Sequence, residues 1–404
     1  MKKNILIISI YYPPIQSIAS NRIYSFAKYL DKEKYNIFVL TLDSQKEYSN
    51  DLDGVSVIRV KNDIFFKPFI FTKRTHKLIH YTKVLYNRVI NYFFEDSYRG
   101  WVKKSLEIIP NIIEKNSIDI MLSSYAPTSP HTVALQTKKR FPHLRWIVDM
   151  RDEMSQNPFI NRRMKKKYIQ LESEIFNYAD ALTTVSKPIL DEFKMLSNEK
   201  ELLFREIRNG YDFEIKDSNY RNEVFTIAYV GNFYGDRNPN IFLQALNSLV
   251  DKRKRKIVKV KFVGVKTHFY LPSSLVNAVD VIPSVEHGKA IEIMRQSDAL
   301  LLIHPTNGRK GVFTGKLFEY LAVMKPIIAL IDEDDVAAQL IKEVNAGVIS
   351  DNEDIEKIES IFKEVYDEWE ERRERVFNKD IIFKHHRKEQ VKRLEKLIKE
   401  LTCE

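Results

Sequence analysis

The stretch GRKGVFTGKLFEYLAVMKP, residues Gly308–Pro326, predicts a loop followed by a helix with a defined end. It comes after the apolar run Ala299–Ile303, which has the length and composition of a buried strand. From Lys316 onward apolar residues recur at helical spacing, and the closing proline cannot continue a helix. The apolar run Ile327–Ile331 predicts the next strand. This order of strand, loop, helix and strand indicates one unit of a parallel α/β sheet.

The loop of this unit has the chemistry of a phosphate site. Three glycines, Gly308, Gly311 and Gly315, allow its backbone to approach a ligand closely. Free N–H groups and the positive end of the helix dipole favour an anion there. Lys316 and Glu319 are three residues apart and share one helix face, where the lysine suits phosphate and the carboxylate suits sugar hydroxyls. A solvated ion pair beside a core helix is the alternative, and spacing alone leaves both open.

The same stretch resembles the donor-site signature of GT-B glycosyltransferases of the family 4 type, in particular the subgroup acting on surface-polysaccharide and lipid-linked glycans. The resemblance rests on Gly315–Ala322 and Lys325–Ile328. It implies that Glu319 binds the ribose hydroxyls of a nucleotide-sugar donor and that Lys316 binds the donor diphosphate. Many relatives carry a further glutamate eight residues before Glu319, where this chain has Gly311.

The size and charge of the chain limit the classes of protein to consider. Its 404 residues predict two domains, and its net charge of +10 favours anionic partners such as sugar nucleotides, phospholipid surfaces or nucleic acid. The single cysteine, Cys403, excludes an intramolecular disulfide and fits a reducing compartment. The apolar start Met1–Ile10 is short and lacks a cleavage site, so it predicts a first strand rather than a signal peptide. We therefore expect a cytoplasmic protein, peripheral at the inner face of the membrane.

Short apolar runs alternate with helical patterns along both halves of the chain, which predicts doubly wound parallel sheets that bind ligands at the carboxyl ends of their strands. Strands are expected at Asn4–Ile10, Asn36–Thr41, Val55–Val60, Ile118–Ser123, Trp146–Asp149, Ala181–Val185, Thr226–Val230, Lys259–Val263, Val279–Ile282, Ala299–Ile303 and Ile327–Ile331.

The resemblance implies an α/β fold of GT-B architecture, in which two Rossmann-like domains with parallel sheets face an interdomain cleft. The pair Asn209-Gly210 predicts a turn and lies in a segment that resembles the interdomain Asn-Gly-x-Asp segment of the family. We predict an acceptor-side domain at residues 1–212 and a nucleotide-sugar-binding domain at residues 213–382. Residues 383–404 are predicted to form a helix that crosses back to the first domain.

Tyr12, Asn21 and Arg22 follow the first predicted strand and are the candidate acceptor-side residues. No Gly-x-Gly-x-x-Gly loop occurs there, which argues against a nicotinamide enzyme. The segment resembles the acceptor-side loop of the family, so Arg22 is a candidate for an acceptor phosphate. A surface charge at a helix start is the alternative.

Four residues after later strands are the candidate catalytic residues. His131 lies near a predicted helix start, where the dipole favours a neutral imidazole, although a lone histidine is more often structural. Asp149, Arg151 and Asp152 resemble an Asp-x-Arg-Asp segment of the same subgroup and are predicted to line the cleft. A salt-bridge network that orders the loop is the alternative.

The strand end after Thr226–Val230 predicts part of the donor site. Arg237 is placed to reach a phosphate, and it matches the second member of an Arg/Lys pair that binds the diphosphate in the family. Asn232 stands at the first position, which leaves one cation fewer. The loop Pro283–His287 resembles the place where the family binds the donor base. The candidate donor-binding residues are Gly231, Asn232, Arg237, Ser284, Val285, His287, Thr314, Gly315, Lys316 and Glu319.

Two basic segments suit an anionic membrane surface. Ile64–Lys104 mixes aromatic and cationic residues, and Asn161–Lys167 carries five cations. The alternatives are a helix pair with an aromatic core and a solvated helix start. No nucleic-acid motif occurs, and we expect no nucleic-acid partner.

The predicted function is transfer of a sugar from a nucleotide-diphosphate sugar to a glycan or lipid-linked acceptor, with retention of anomeric configuration as the resemblance implies. We expect no metal and no cofactor, because cations and helix dipoles stabilise the leaving diphosphate in this fold and Asp332–Asp335 has the pattern of an exposed acidic loop. A nucleotide-sugar epimerase of the same fold and a catalytically silent GT-B binding module are the alternatives.

Overall fold

The computed structural model describes residues 2–44, 52, 54–63, 81–86, 97–197, 201–216, 220–233, 237–253, 258–304, 309 and 311–402, with side chains omitted for 250–253. The chain divides into two compact units. The first is Met1–Ile207 together with Val391–Glu404, and the second is Arg208–Gln390. The sequence predicts these division points at residues 212 and 382.

The first unit is built on a parallel seven-stranded sheet of order β3-β2-β1-β4-β5-β6-β7. The strands are β1 (Lys3–Ile8), β2 (Tyr35–Leu42), β3 (Val55–Val60), β4 (Ile120–Ser124), β5 (Arg145–Met150), β6 (Ala181–Thr184) and β7 (Leu203–Glu206). The helices are α1 (Ile18–Tyr29), α2 (residues 81–86), α3 (Arg99–Asn116), α4 (Ser129–Arg140), α5 (Arg162–Tyr178) and α6 (Lys187–Leu196). The chain order reverses between β1 and β4, the kind of position where such sheets bind ligands.

The second unit has a parallel six-stranded sheet of order β10-β9-β8-β11-β12-β13, and its order reverses between β8 and β11. The strands are β8 (Phe225–Val230), β9 (Val258–Val263), β10 (Val279–Ile282), β11 (Ala299–His304), β12 (Ile327–Ile331) and β13 (Gly347–Ser350). The helices are α7 (Asn240–Arg253), α8 (His287–Arg295), α9 (Gly315–Val323), α10 (Val336–Val344), α11 (Ile355–Glu370), α12 (Lys379–Lys384) and α13 (Arg387–Leu401), whose later part belongs to the first unit.

The central strands are buried on both faces, as the long apolar runs of the sequence require. Every residue of β4, β11 and β12 is buried. In a parallel sheet covered by helices, both faces exclude water, so these strands lack the alternation of a half-exposed strand. The predicted alternation of strands and helices and the α/β class are confirmed.

Two edge strands, β7 and β13, are absent from the prediction. β7 has the sequence LFRE and is half-buried throughout, and β13 begins with a glycine, so neither shows a clear apolar run. Gly347 is required at the start of β13, because a Cβ there would lie 2.0 Å from the carbonyl oxygen of Ile327. The backbone of the neighbouring strand β12 leaves no room for a side chain at residue 347, and the composition of the segment does not show this requirement.

The prediction of a turn at Asn209-Gly210 is wrong. Residues 207–210 form no turn, and Tyr211 makes a parallel bridge to His386. A Cβ on Gly210 would lie 2.2 Å from the carbonyl oxygen of His385. The glycine is needed for this close approach of two backbones rather than for a reversal of the chain.

Among the helices that the structure describes, none combines the length and apolar character needed to cross a bilayer.

Candidate functional site

The first site lies in the second unit, where β8, β9 and β10 end close together. A Cβ on Gly264, after β9, would lie 3.9 Å from the Cα of Gly231 and 3.7 Å from the Oγ of Ser284. Gly231 and Gly264 both have positive φ, which glycine adopts without strain. Ser284 and Val285 are exposed in the loop before α8. These three strand ends therefore form a narrow, backbone-lined surface that a ligand can approach closely.

Lys316, in the first turn of α9, extends to this surface. Its Nζ donates a hydrogen bond of 2.9 Å to the hydroxyl of Tyr229 and lies 4.0 Å from the centre of that ring. Gly231 makes room for the lysine, since a Cβ there would lie 2.5 Å from Lys316 Cε. Burial, together with the nearby charge of Arg237, lowers the pKa of Lys316 to about 7. The Lys316 amine is therefore a largely desolvated group that a bound anion would favour in its charged form.

Arg237, in the loop after β8, is held by a histidine that the sequence analysis missed. Its Nη2 lies 2.5 Å from Nδ1 of His304, while Nε2 of the same ring lies 2.9 Å from the carbonyl oxygen of Val312. Since the carbonyl can only accept, Nε2 carries the proton and Nδ1 accepts from Arg237. Burial and the Arg237 charge lower the pKa of His304 to about 4, so the ring stays neutral near pH 7.

Glu319 lies one turn after Lys316 and pairs with His287 at the start of α8. The Oε1 of Glu319 is 2.8 Å from Nε2 of His287, and the side chains are 21% and 60% exposed. The hydrogen bond that His287 donates to the Glu319 carboxylate raises the pKa of His287. Two of the predicted donor-binding residues are thus in direct contact, at a place open to solvent.

Asn232, which stands where a cation is expected, orders a neighbouring loop instead. Its Oδ1 accepts hydrogen bonds from the backbone N–H of Lys266 at 2.7 Å and of Thr267 at 3.3 Å. The side chain thereby ties the end of β8 to the loop that follows β9. Substitution of a basic residue at this position removes that acceptor, so the amide has a structural role here.

The helix α9 begins one residue earlier than predicted, at Gly315, and Thr314 is its N-cap. The Thr314 Oγ1 accepts from the Lys316 N–H at 3.3 Å. The helix ends at Val323 with Met324 in the left-handed region, φ 54°, two residues before Pro326.

Asp332–Asp335 was predicted to be an exposed acidic loop, but Asp335 is only 1% exposed. Its Oδ1 accepts from the N–H of Gly311 at 3.0 Å, and burial raises the pKa of its carboxyl. The acidic residue therefore anchors the loop that precedes α9. Gly311 has φ 96°, which explains why a glycine stands there.

A second cluster lies in the first unit at the carboxyl ends of β4, β5 and β6. Asp149 is fully buried and pairs with Arg22 of α1, with an Nη2–Oδ1 distance of 2.7 Å. It also accepts hydrogen bonds of 2.8 Å from the hydroxyls of Ser124 and Thr183. Burial opposes the charged form of Asp149, but the charge and hydrogen bonds of Arg22 prevail and lower the pKa of the carboxyl.

This geometry corrects two predictions. Asp149 does not line an open surface, because its carboxylate is enclosed and occupied by three side chains. Arg22 is 4% exposed, and its guanidinium is directed at Asp149 rather than at solvent. The alternative of an internal salt-bridge network therefore describes this pair. Its effect is to lock the start of α1 to three strand ends.

His131, in the first turn of α4, is fully buried beside this cluster. Its Nδ1 lies 2.7 Å from the hydroxyl of Ser123, which accepts from the indole N–H of Trp146 at 2.9 Å. The Ser123 hydroxyl therefore links the imidazole of His131 to the indole of Trp146. Among the residues that the structure describes, none is a hydrogen-bond partner of Nε2. Burial lowers the pKa of His131 to about 3, so the predicted neutral imidazole agrees with its environment.

The remaining candidates of the first unit differ in exposure. Arg151 donates to the carbonyl oxygens of Tyr125 and Ala126, and so fixes the loop that leads into α4. Asp152 is partly exposed and Asn21 is exposed, while Tyr12 is 2% exposed. The structure thus places Tyr12 within the core rather than on an acceptor-facing surface.

Tyr229 and His304 are the site residues that the sequence analysis missed. Both lie inside or at the end of apolar strands, where an aromatic or histidine side chain is normally a core residue. The only available signal is their position near the carboxyl ends of strands beside the reversal of chain order.

Within the described residues, no group of three or more His, Cys, Asp or Glu side chains is arranged to hold a metal ion.

Comparison with known proteins assigns this fold. Residues 211–381 match the family described as Glycosyl transferases group 1. Sucrose-phosphate synthase from Thermosynechococcus elongatus superposes with a TM-score of 0.64 at 13% identity, covering 100% of each chain. A glycosyltransferase from Rickettsia africae superposes with a TM-score of 0.65 at 13% identity, covering 99% of each chain. The trehalose-6-phosphate protein from E. coli bound with UDP-2-fluoro glucose gives 0.62 at 12% identity, covering 99% of each chain.

No curated protein matches the sequence. At such low identities the structural neighbours establish the fold alone, and the family match extends over the second unit. The chain therefore has a GT-B fold, and its residues 211–381 match the group 1 glycosyl transferase family.

Proposed function

We propose that this protein is a family 4-type, retaining glycosyltransferase of cell-surface polysaccharide synthesis, which moves a sugar from a nucleotide-diphosphate sugar to a glycan or lipid-linked acceptor. The observation that carries the proposal is the convergence of Lys316, Arg237 and Glu319 within the group 1 glycosyl transferase domain. Lys316 and Glu319 in the first turns of α9, with Arg237 from the loop after β8, match the chemistry of a diphosphate joined to a ribose.

Each donor-site residue has a role that follows from its contacts. Lys316 and Arg237 bind the diphosphate, because their charges are close enough to affect one another and both lie beside a helix start. Glu319 accepts hydrogen bonds from the ribose hydroxyls after exchanging its contact with His287. Ser284 and Val285, exposed next to Gly264, contact the base through their backbone.

The proposed chemistry needs stabilisation of the leaving nucleoside diphosphate. Negative charge grows on the diphosphate as its bond to the sugar breaks. The Arg237 guanidinium and Lys316, which is an ammonium ion once the diphosphate is bound, favour that change near the N-terminus of α9. We propose that these groups act without a metal ion.

The first unit supplies the acceptor side in this proposal. His131 is neutral and fully buried, so in this proposal it supports the acceptor side as a structural imidazole rather than by contact with a sugar hydroxyl. Arg151 and Asp152 remain the proposed catalytic residues, and Asn21 remains a proposed acceptor-side residue. Asp149 and Arg22 act by holding α1 and the strand ends in place.

We propose that the acceptor side meets an anionic membrane surface. Arg162, Lys165 and Lys166 are exposed on α5, and Ile169 and Phe159 beside them are 49% and 76% exposed. Residues 154–171 contain no Asp or Glu. Arg162, Lys165, Lys166 and Ile169 share one exposed face of α5, and Phe159 lies just before the helix. Cations beside exposed apolar side chains suit anionic lipid.

The other membrane segment, Ile64–Lys104, falls largely outside the described residues. Of the part that is described, Tyr81 and Leu85 are 70% and 63% exposed, whereas Trp101 is fully buried. The predicted membrane contact of this stretch stays a prediction.

The test is calorimetric titration with UDP-, GDP-, ADP- and dTDP-sugars, followed by assays of the sugar nucleotide that binds. Sugar transfer to a lipid-linked acceptor with retained configuration is the expected result. Conversion of the donor to an epimer without acceptor would establish the epimerase instead, and binding without any turnover would establish a silent binding module.

A further inference from the structure

Tyr229 makes two contacts that fix the position of the Lys316 amine. Its hydroxyl accepts a hydrogen bond of 2.9 Å from Lys316 Nζ and donates one of 3.3 Å to the carbonyl oxygen of Asn232. The amine also lies 4.0 Å from the ring centre, so the same side chain offers it both an oxygen acceptor and an aromatic face.

The Tyr229 ring cannot move easily. It is fully buried, stacks on Phe233 with a centroid distance of 4.4 Å and meets the edge of Phe262 at 6.1 Å. Across from it, Gly231 leaves the space that the lysine tail occupies. A long, flexible lysine side chain is thereby confined to one position, which lowers the entropic cost of placing its charge on a ligand.

The charged and titratable groups around Lys316 come from four elements. Arg237 follows β8, His304 ends β11, Tyr229 lies in β8 and Glu319 is on α9 itself. Desolvation and the Arg237 cation disfavour the ammonium form, while Glu319 favours it. A second anion at this place, such as a diphosphate, therefore shifts the balance toward the ammonium.

We infer that Tyr229 is a positioning residue, which holds the Lys316 amine where a nucleoside diphosphate binds and keeps it ready to take up a proton from solvent as the diphosphate arrives. The inference rests on the proposed function, since it supposes a diphosphate ligand. The neutral amine takes one proton from solvent, which forms one N–H bond and gives an ammonium ion, and no other covalent bond changes. Tyr229 acts through Lys316 and does not contact the diphosphate.

The experiment is titration of the whole protein with UDP, GDP, ADP and dTDP by calorimetry in buffers of different ionisation enthalpy. The heat difference between buffers counts the protons taken up per nucleotide bound. For the wild type we expect uptake of about one proton near pH 8.5, where the free amine is largely neutral, and a smaller uptake toward pH 7. Lys316→Ala should abolish this uptake.

Tyr229→Phe keeps the ring and removes the hydroxyl. We expect nucleotide affinity to fall roughly 3- to 10-fold, and the onset of proton uptake to move to lower pH because the ammonium loses an acceptor. In the Lys316→Ala background the same change should have no further effect, which separates positioning from general damage. Tyr366→Phe, which removes a buried tyrosine hydroxyl elsewhere in the second unit, is the matched control and should behave as the wild type.

Two outcomes overturn the inference. If the wild type binds nucleotides and Tyr229→Phe has the same affinity and the same proton uptake, the positioning role is wrong while the proposed function stands. If the wild type binds none of the four nucleotides, the proposed function and the inference that rests on it both fail.

Discussion

Replacement of Glu319 by alanine is the sharpest test of the donor site, because the structure predicts very different effects on binding and on folding. Glu319 and His287 form a pair whose side chains are 21% and 60% exposed. Such solvent-screened pairs contribute about 0.2–1 kcal/mol to stability. We therefore expect Glu319→Ala to lower the free energy of unfolding by less than about 1 kcal/mol.

Donor binding should respond more strongly. A hydrogen bond to a charged group contributes about 1.5–3 kcal/mol, which corresponds to a roughly 10- to 150-fold increase in Kd for the nucleotide sugar. The contact with His287 reduces the expected loss of binding free energy, because the Glu319 carboxylate must give up its hydrogen bond with His287 before it accepts one from the ribose. The assay is calorimetric titration of the donor, with urea unfolding to measure stability.

His287→Ala is the matched control, because it removes the competing partner and leaves the carboxylate. Donor affinity should rise, by up to about 5-fold. The gain should be larger near pH 6 than near pH 8. Glu319 raises the pKa of His287, so the protonated imidazole holds the carboxylate most firmly at low pH and releases it as pH rises through that pKa. Unchanged Kd in Glu319→Ala, with or without a loss of stability, would refute the ribose-binding role.

Three further predictions concern the other parts of the molecule. Asp149→Asn should destabilise the first unit by about 3–5 kcal/mol, because it leaves the Arg22 charge buried without its carboxylate; urea unfolding measures this. The pKa of Asp149 is lowered in the folded state, so its contribution to the free energy of unfolding is present above the unfolded pKa and is lost as pH falls through the folded pKa. If Asp149→Asn and the wild type lost stability in the same way on acid titration, the stabilising role of the Asp149–Arg22 pair would be contradicted. Arg151→Ala should reduce turnover in a transfer assay while Kd for the nucleotide stays within a factor of about 2, and a collapse of nucleotide affinity in a folded variant would show that Arg151 is not on the acceptor side. Binding to anionic liposomes should weaken with salt and in the triple variant Arg162→Ala, Lys165→Ala and Lys166→Ala, as measured by co-sedimentation; equal binding to neutral lipid would exclude the α5 surface.

The local fold around α9 was predictable because its signals are local. A buried strand, a glycine-containing loop, a helix at Lys316 and a proline after it each depend on a few neighbouring residues. The parallel α/β class follows in the same way from alternating apolar runs. Edge strands such as β13 were not predictable, since Gly347 is required by the carbonyl of Ile327, which is distant in sequence.

The sequence by itself determined the fold class and brought Lys316 and Glu319 to one helix face, because helical periodicity fixes which residues are neighbours. Only the tertiary structure decided what each charged group contacts. It enclosed Asp149 with Arg22, although the same residues read from the sequence suit an exposed cluster. It also brought Lys316 into contact with Tyr229, which is 87 residues away in sequence, and Arg237 into contact with His304, which is 67 residues away. Burial and the nearest charges set the state of an ionisable group, and both depend on the packing of segments that the sequence separates.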